Sequence, residues 1–119
     1  MYRVGEFALM TELTKETLRY YAEIKLLEPV YIDPANSYSY YDNNSYLTAR
    51  LLFYLRKFDF SIQEMLEVVK QRSLDELEEI LQEKKNKLKQ QVTEIESLIN
   101  VIDEFIDYGN GVEENDSME

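Results

Sequence analysis

Thr14, Lys15, Thr17 and Arg19 place two hydroxyls, an ammonium and a guanidinium within six residues, and Tyr20 follows directly. On a helix that starts at Lys15 with Thr14 as its cap, Leu18, Tyr21 and Ile24 share the inward side, so Lys15, Thr17 and Arg19 fall outward. The chemistry available to such a set is hydrogen bonding and charge. An Arg can bind a guanine edge bidentately or clamp a phosphate, and Lys and Thr can reach groove or backbone oxygens. Covalent chemistry is poorly served. The chain has no Cys and no His, which removes thiolate nucleophiles, imidazole bases, disulfides and the commonest zinc ligands together. The carboxylate pairs Glu78-Glu79 and Glu113-Glu114 fall on a helix surface and in a tail without a base beside them, and they are expected to be solvated charges. No catalytic residue, no cofactor and no metal site is expected, and the chain is not read as an enzyme.

The outward residues need elements to hold them. Val4, Phe7, Ala8 and Met10 mark a short helix, and the Thr14-capped helix follows within a few residues and runs to about Lys25. Two short helices so closely joined form a helix-turn-helix candidate. Between Leu27 and Tyr41 the pattern changes. Val30, Tyr31 and Ile32 are strand formers, Asp33-Pro34-Ala35-Asn36 is turn chemistry, and Ser37 to Tyr41 alternates, which predicts a two-stranded hairpin, a wing. Asp42 then caps a third helix carrying Leu47, Leu51, Leu52, Leu55 and Phe58. Ser61 and Glu64 form a capping box before a fourth, with Ile62, Met65, Leu66 and Val69. One of Tyr20 and Tyr21 must be buried, and the 18, 21, 24 spacing assigns Tyr21 to the core. Tyr20 is left to place its hydroxyl on a phosphate. Arg56, near the end of the third helix, reads on its own as a solvated cap. Tyr38 in the wing either touches nucleic acid or packs on its own domain.

Beyond Arg72 the chain reads differently. Leu74, Leu81, Leu88, Ile95 and Ile102 fall seven apart, and Leu77, Leu98 and Phe105 occupy the position three later, with Lys84 and Gln91 interrupting that second series. Seven-residue spacing with an apolar pair three apart is the coiled-coil pattern, and Ser73 with Glu76 marks the helix start. A helix over residues 73–107 would reach roughly 50 Å at 1.5 Å per residue. Folding back onto its own domain would occupy Leu74 and Leu77 but strand the distal seam, so self-association is expected. Residues 108–119 are polar and acidic and are expected to be a disordered tail. The division is therefore residues 1–72, 73–107 and 108–119.

The 119 residues allow one core and an appended element. The formal net charge of −11 argues against nucleic acid only until it is divided. Residues 1–72 hold 9 Lys and Arg against 10 Asp and Glu, whereas residues 73–119 hold 4 against 14. The acidity belongs to the C-terminal third, and a near-neutral first part can still carry a local basic face. No apolar run approaches a membrane span and no charged-then-apolar leader opens the chain, so a cytoplasmic protein without a membrane partner is expected.

In that order the elements resemble the MerR family of bacterial transcription regulators. The resemblance rests on Val4-Gly5-Glu6-Phe7, Thr17-Leu18-Arg19-Tyr20-Tyr21, Ile24-Lys25-Leu26-Leu27-Glu28-Pro29, Tyr38-Ser39-Tyr40-Tyr41 and Leu55-Arg56-Lys57-Phe58-Asp59-Phe60-Ser61. It covers residues 2 to about 106. Asp33-Pro34, Ser37-Tyr38 and Tyr40-Tyr41 look most like the multidrug-responsive branch typified by the BmrR regulator. The fold implied is mainly α: a winged helix-turn-helix with a small wing, followed by a long coiled-coil dimerisation helix. The resemblance implies a homodimer joined by antiparallel long helices, double-stranded promoter DNA as partner, and distortion of that DNA so that RNA polymerase engages it, with an effector of unknown identity. On it, Lys15, Thr17, Arg19, Tyr20, Tyr38 and Arg56 are the expected DNA-binding residues. Leu74, Leu77, Leu81, Leu88, Ile95, Leu98, Ile102 and Phe105 are the expected dimerisation residues. Eleven residues after Tyr108 are too few for a drug-binding domain, so the chain is expected to be either truncated before one or a short member.

This sequence also departs from the family pattern. Ser39 stands where a wing Arg is usual, Glu16 lies near the groove-facing helix start, Glu12 replaces the Gly or Asn of the turn, and Arg3 takes the place of a Ser or Thr cap. DNA binding that is weaker and more salt-sensitive to detect than in typical relatives, or directed to an unusual site, is expected from these changes. The alternative is a dimeric interaction module that keeps the fold, has lost specific DNA binding and docks a protein partner through its acidic helix.

Overall fold

The computed structural model describes residues 1–70 and 73–118, with side chains through Asn110. Its elements run β1 (Tyr2–Arg3), α1 (Val4–Thr11), α2 (Lys15–Glu23), β2 (Tyr31–Ile32), β3 (Ser39–Tyr41), α3 (Asn43–Lys57), α4 (Ile62–Lys70) and α5 (Leu74–Met118). The chain forms two compact units that divide after Arg72. The architecture is the expected one, mainly helical with a small wing and a long last helix.

Local chemistry explains four of the five helix starts; α1 begins after Arg3 without a side-chain cap. Thr14 Oγ1 accepts the Thr17 N–H at 3.0 Å, Asp42 and Ser45 satisfy each other's backbone in a capping box, and Ser61 and Glu64 do the same. Ser73 Oγ accepts from the Glu76 N–H at the start of α5. The ends are more unusual. After α2, the N–H of Leu26 reaches the Tyr21 carbonyl and that of Lys25 the Ala22 carbonyl, with Lys25 at φ 62°. After α3, Phe60 and Asp59 make the equivalent bonds to Leu55 and Arg56, with Asp59 at φ 66°. Both are Schellman endings in which the left-handed residue is not glycine, and in both the flanking apolar residues, Tyr21 with Leu26 and Leu55 with Phe60, are buried together.

The core of the first unit lies where α1, α2, α3 and the sheet meet. Phe7 and Tyr41 stack at 4.4 Å between centroids, 5° from parallel, and Leu18, Tyr21, Leu52 and Leu55 close around the same interior. Full burial of each such side chain contributes about 1.5–3 kcal/mol. Thr11 is buried too, and its hydroxyl donates to the Phe7 carbonyl at 2.8 Å, so no polar atom is stranded there.

Three features differ from the sequence expectation. The sheet has three strands rather than two, in the order β1-β3-β2, because Tyr2 and Arg3 pair antiparallel with Tyr41 and Tyr40. On α3, Leu47 is 66% exposed and Phe58 44%, whereas Ser45, Ala49, Leu52 and Leu55 face inward. Ser45 and Ala49 are small residues on the buried side of α3, and a purely apolar count overlooks them. Finally, α5 does not stop near 107; the helix continues to Met118, through residues expected to be a disordered tail. No proline interrupts residues 108–118, and the helix runs on through Gly109 and Gly111. Glu119, the end of that expected tail, lies outside the described residues.

Candidate nucleic-acid interface

The turn between α1 and α2 spans residues 12–14. Glu12 turns the chain at φ 64°, Leu13 is buried, and Thr14 caps α2. The inward face of α2 is Leu18 and Tyr21, as the spacing requires, which leaves Lys15, Glu16, Arg19 and Tyr20 exposed and Thr17 half-buried. Thr17 is partly engaged by its own cap, since its hydroxyl accepts from Thr14 Oγ1 at 2.9 Å; its O–H remains a donor. Tyr20 is 46% exposed with its ring tilted against Tyr21, so the two tyrosines divide as expected, one to the core and one to solvent.

The six sequence-selected residues sort into two concavities in the first unit. One, of about 570 Å³, brings Lys15 and Arg19 together with Tyr38 of the wing loop. The other, of about 630 Å³, brings Thr17 and Tyr20 together with Arg56 from the last turn of α3. Glu16 and Asp59 line the second as well, so its one basic group shares the space with two carboxylates. The first has the opposite balance: Arg3, Lys15 and Arg19 against Glu6 alone.

Arg3 is the residue that sequence reasoning treated only as a missing cap. Its guanidinium lies over the Tyr38 ring at 4.5 Å from the centroid. Hydrogen bonding to the Tyr40 side chain, with the nearby tyrosine oxygens, pushes its pKa above the ordinary arginine value. Its place follows from the pairing of Tyr2-Arg3 with the wing, and a two-residue strand has no periodicity that the sequence could show. The wing itself is built from Asx chemistry: Asp33 Oδ1 accepts from the Ala35 N–H, Asn36 Oδ1 accepts from the Tyr38 N–H, and Ser37 takes φ 62°. Tyr38 is exposed at the base of the wing loop, where its carbonyl accepts the Asp33 N–H, while Tyr41 is buried, which pushes its phenol above the usual range.

Along α5 the expected dimerisation residues Leu74, Leu88, Ile95, Leu98, Ile102 and Phe105 are exposed in the single chain, whereas Leu77 and Leu81 are half-buried. Val92, Ile99 and Ile106 are exposed apolar residues that the sequence reading left out. With Leu88, Ile95 and Ile102 they give an unbroken 4-3-4-3-4 spacing from 88 to 106. Among the described residues there is no group of acidic side chains able to hold a metal, and no helix is long and apolar enough to cross a membrane.

Comparison with known proteins gives a consistent result. Residues 2–72 match the family described as MerR HTH family regulatory protein. The chain is 33% identical over 64 residues, 54% of its own length and 23% of the other's, to the multidrug-efflux transporter 1 regulator of Bacillus subtilis (strain 168). It is 27% identical over 99 residues, 83% of its length and 69% of the other's, to the HTH-type transcriptional regulator ZntR of Escherichia coli (strain K12). The chain spans 23% and 37% of the length of the two Bacillus subtilis multidrug-efflux regulators that it matches. Among solved structures it resembles the N-terminal part of the Bacillus subtilis multidrug transporter activator, MtaN, with a TM-score of 0.78, 22% identity, and coverage of 89% of this chain and 98% of that one.

Proposed function

Because the chain belongs to the MerR family of HTH regulatory proteins, we propose that it is a transcription regulator that grips double-stranded promoter DNA as a homodimer. The observation that carries this reading is the arrangement around α2: Lys15 and Arg19 exposed on a helix fixed by the Thr14 cap, with Tyr38 of the wing in a concavity on one side and Tyr20 and Arg56 in a concavity on the other. A helix so displayed enters a major groove with its first turns. Arg19 and Lys15 then reach base edges or phosphates, and the wing and Arg56 fix its register on the backbone.

The long helix supplies the second copy. At 1.5 Å per residue, the 45 residues of α5 extend roughly 68 Å. The exposed apolar stripe along it, from Leu88 to Ile106, is costly in water and is covered when two copies pair along it. Antiparallel pairing gives two symmetric half-sites, hence a palindromic operator read on one face of the duplex. Bending or underwinding of the DNA between the half-sites is then a matter of offsetting a deformation cost of several kcal/mol with phosphate contacts, and RNA polymerase is engaged indirectly through that altered shape. No step needs a catalytic group, a metal or a cofactor, and the protein acts in the cytoplasm, where the promoter is.

The test is a fluorescence anisotropy titration with the chain's own upstream promoter at two salt concentrations, comparing the parent with Arg19→Ala. Loss of about 1–3 kcal/mol of specific binding with an unchanged dimer is expected. Equal affinity of the two proteins, or parent binding no tighter to the promoter than to unrelated duplex, would overturn the reading and favour a dimeric module that docks a protein instead.

A further inference from the structure

Among the exposed residues of the first unit, Arg3, Lys15 and Arg19 are three cations lining one concavity, contributed by β1 and by the first and second turns of α2. None of the three pairs with a carboxylate among the described residues, where the ion pair within 4.0 Å is that of Arg50 with Glu12. Glu6 is the single acidic lining residue.

One contact and one open space place two of these cations before anything binds. Arg3 is stacked on Tyr38 at 4.5 Å, which orients its planar fork while leaving its donors available. Lys15 lies across the start of α1: a Cβ on Gly5 would meet Lys15 Cε at 3.2 Å and Nζ at 3.5 Å. The absence of a side chain at Gly5 leaves room for the ammonium there. Like charges gathered and oriented in this way repel one another, and an anion in the concavity relieves the repulsion.

From this arrangement we infer that Arg3 is a backbone clamp, seating one phosphodiester of the bound duplex in the concavity between the wing and the start of α2, with Lys15 completing the seat. The inference rests on the duplex-binding reading above and adds a residue to it. A duplex phosphate fits better than a free phosphate ion because Arg3, Lys15, Arg19 and Tyr38 are all exposed. In high dielectric a small free anion gains little from each such charge, whereas a phosphate delivered by a duplex already docked on α2 needs only to be positioned. Contact with phosphate makes Arg3 a determinant of affinity and register for every sequence alike, not of base preference.

The experiment uses the full chain and a fluorescein-labelled duplex of arbitrary sequence, titrated across a chloride series, for the parent, Arg3→Gln, Arg3→Lys and Tyr38→Leu. For Arg3→Gln the slope of log affinity against log salt is expected to fall by about one unit per bound domain. Arg3→Lys keeps the charge and is expected to keep the slope. Tyr38→Leu removes the stack that orients Arg3 and is expected to weaken binding with the slope retained. Replacing part of the chloride by inorganic phosphate at matched ionic strength should displace no extra duplex; extra displacement that disappears in Arg3→Gln would assign the seat to free phosphate and overturn the clamp. An unchanged slope in Arg3→Gln with normal parent binding would overturn the clamp and leave the duplex reading standing. A parent that binds no duplex at low salt would overturn both. Arg3 is exposed, and matching thermal melts of Arg3→Gln and Arg3→Lys establish that the comparison is between folded proteins.

Discussion

Glu12 at φ 64°, Lys25 at φ 62° and Asp59 at φ 66° each stand just past the last turn of a helix. A left-handed conformation costs an L-residue with a side chain about 1–2 kcal/mol, so something must over-determine each one. At Lys25 and Asp59 it is a pair of backbone hydrogen bonds backed by a buried apolar contact. At Glu12 the side-chain partner is Arg50 at 3.4 Å, and with the Glu12 side chain 65% exposed this ion pair is worth only a few tenths of a kcal/mol. Glu12→Gly is therefore expected to raise the unfolding free energy by about 0.5–1 kcal/mol, since glycine relieves the strain and loses little. Urea denaturation measures it, and a destabilised variant would mean that the Arg50 pair outweighs the strain. The same three residues explain why helix ends were poorly legible in the sequence. The rule looks for Gly after the last turn, and no described glycine here has a positive φ. Thr14, Tyr21 and the exposed Lys15 and Arg19 were legible because a cap and a 3.6-residue period are local signals; the stack of Arg3 on Tyr38 was not, because it joins residues 35 apart in sequence.

Helix starts and the wing turn were written plainly at the level of elements, through Thr14, Asp33-Pro34, Asp42 and Ser61. The inward face of α3 was misjudged because Ser45 and Ala49 face inward as small residues, while Leu47 and Phe58 remain exposed. Ser45 is also half of the box that starts α3. The Asp42 carboxylate accepts the Ser45 N–H and the Ser45 hydroxyl, both at 2.9 Å, and the backbone hydrogen bond from Ser45 is the main cause that holds its pKa below the ordinary aspartate value. A carboxyl lowered in the folded state contributes its stability in full above the unfolded pKa and loses it as pH falls through the folded one. Asp42→Asn keeps a good capping oxygen without the titration. It is expected to melt slightly below the parent at neutral pH and to converge with it as acid protonates Asp42. Circular dichroism melts from neutral pH down through the carboxylate range check this. A gap independent of pH would mean that the charge on Asp42 does not contribute to the start of α3.

For the molecule as a whole, the division of charge and the stripe on α5 bear on the same question, because a near-neutral domain that reads DNA needs a second copy to gain affinity. In the N-terminal half of α5 the expected seam passes through Leu74, Leu77, Leu81, Lys84 and Leu88; in the C-terminal half the exposed apolar residues Leu88, Val92, Ile95, Ile99, Ile102 and Ile106 continue it at a shifted partner position. That shift is why Gln91 looked like an interruption: the apolar residue sits one place further on, at Val92. Leu98 and Phe105 flank the same stripe and widen it. Leu88 belongs to both halves, so it is the residue on which the proposed pairing is most exposed to disproof. Leu88→Asp would bury an unpaired carboxylate between two copies, a cost of several kcal/mol in an apolar seam. Sedimentation is expected to show a monomer, while the helical signal of residues 1–70 persists because the core of that unit contains no residue of α5. Lys89→Asp, one residue along on an exposed polar position, is expected to stay dimeric. If Leu88→Asp sediments as a dimer, the seam does not pass through Leu88. If Ile95→Asp does so as well, the copies do not pair along this stripe at all, and two linked DNA-reading domains would need another origin.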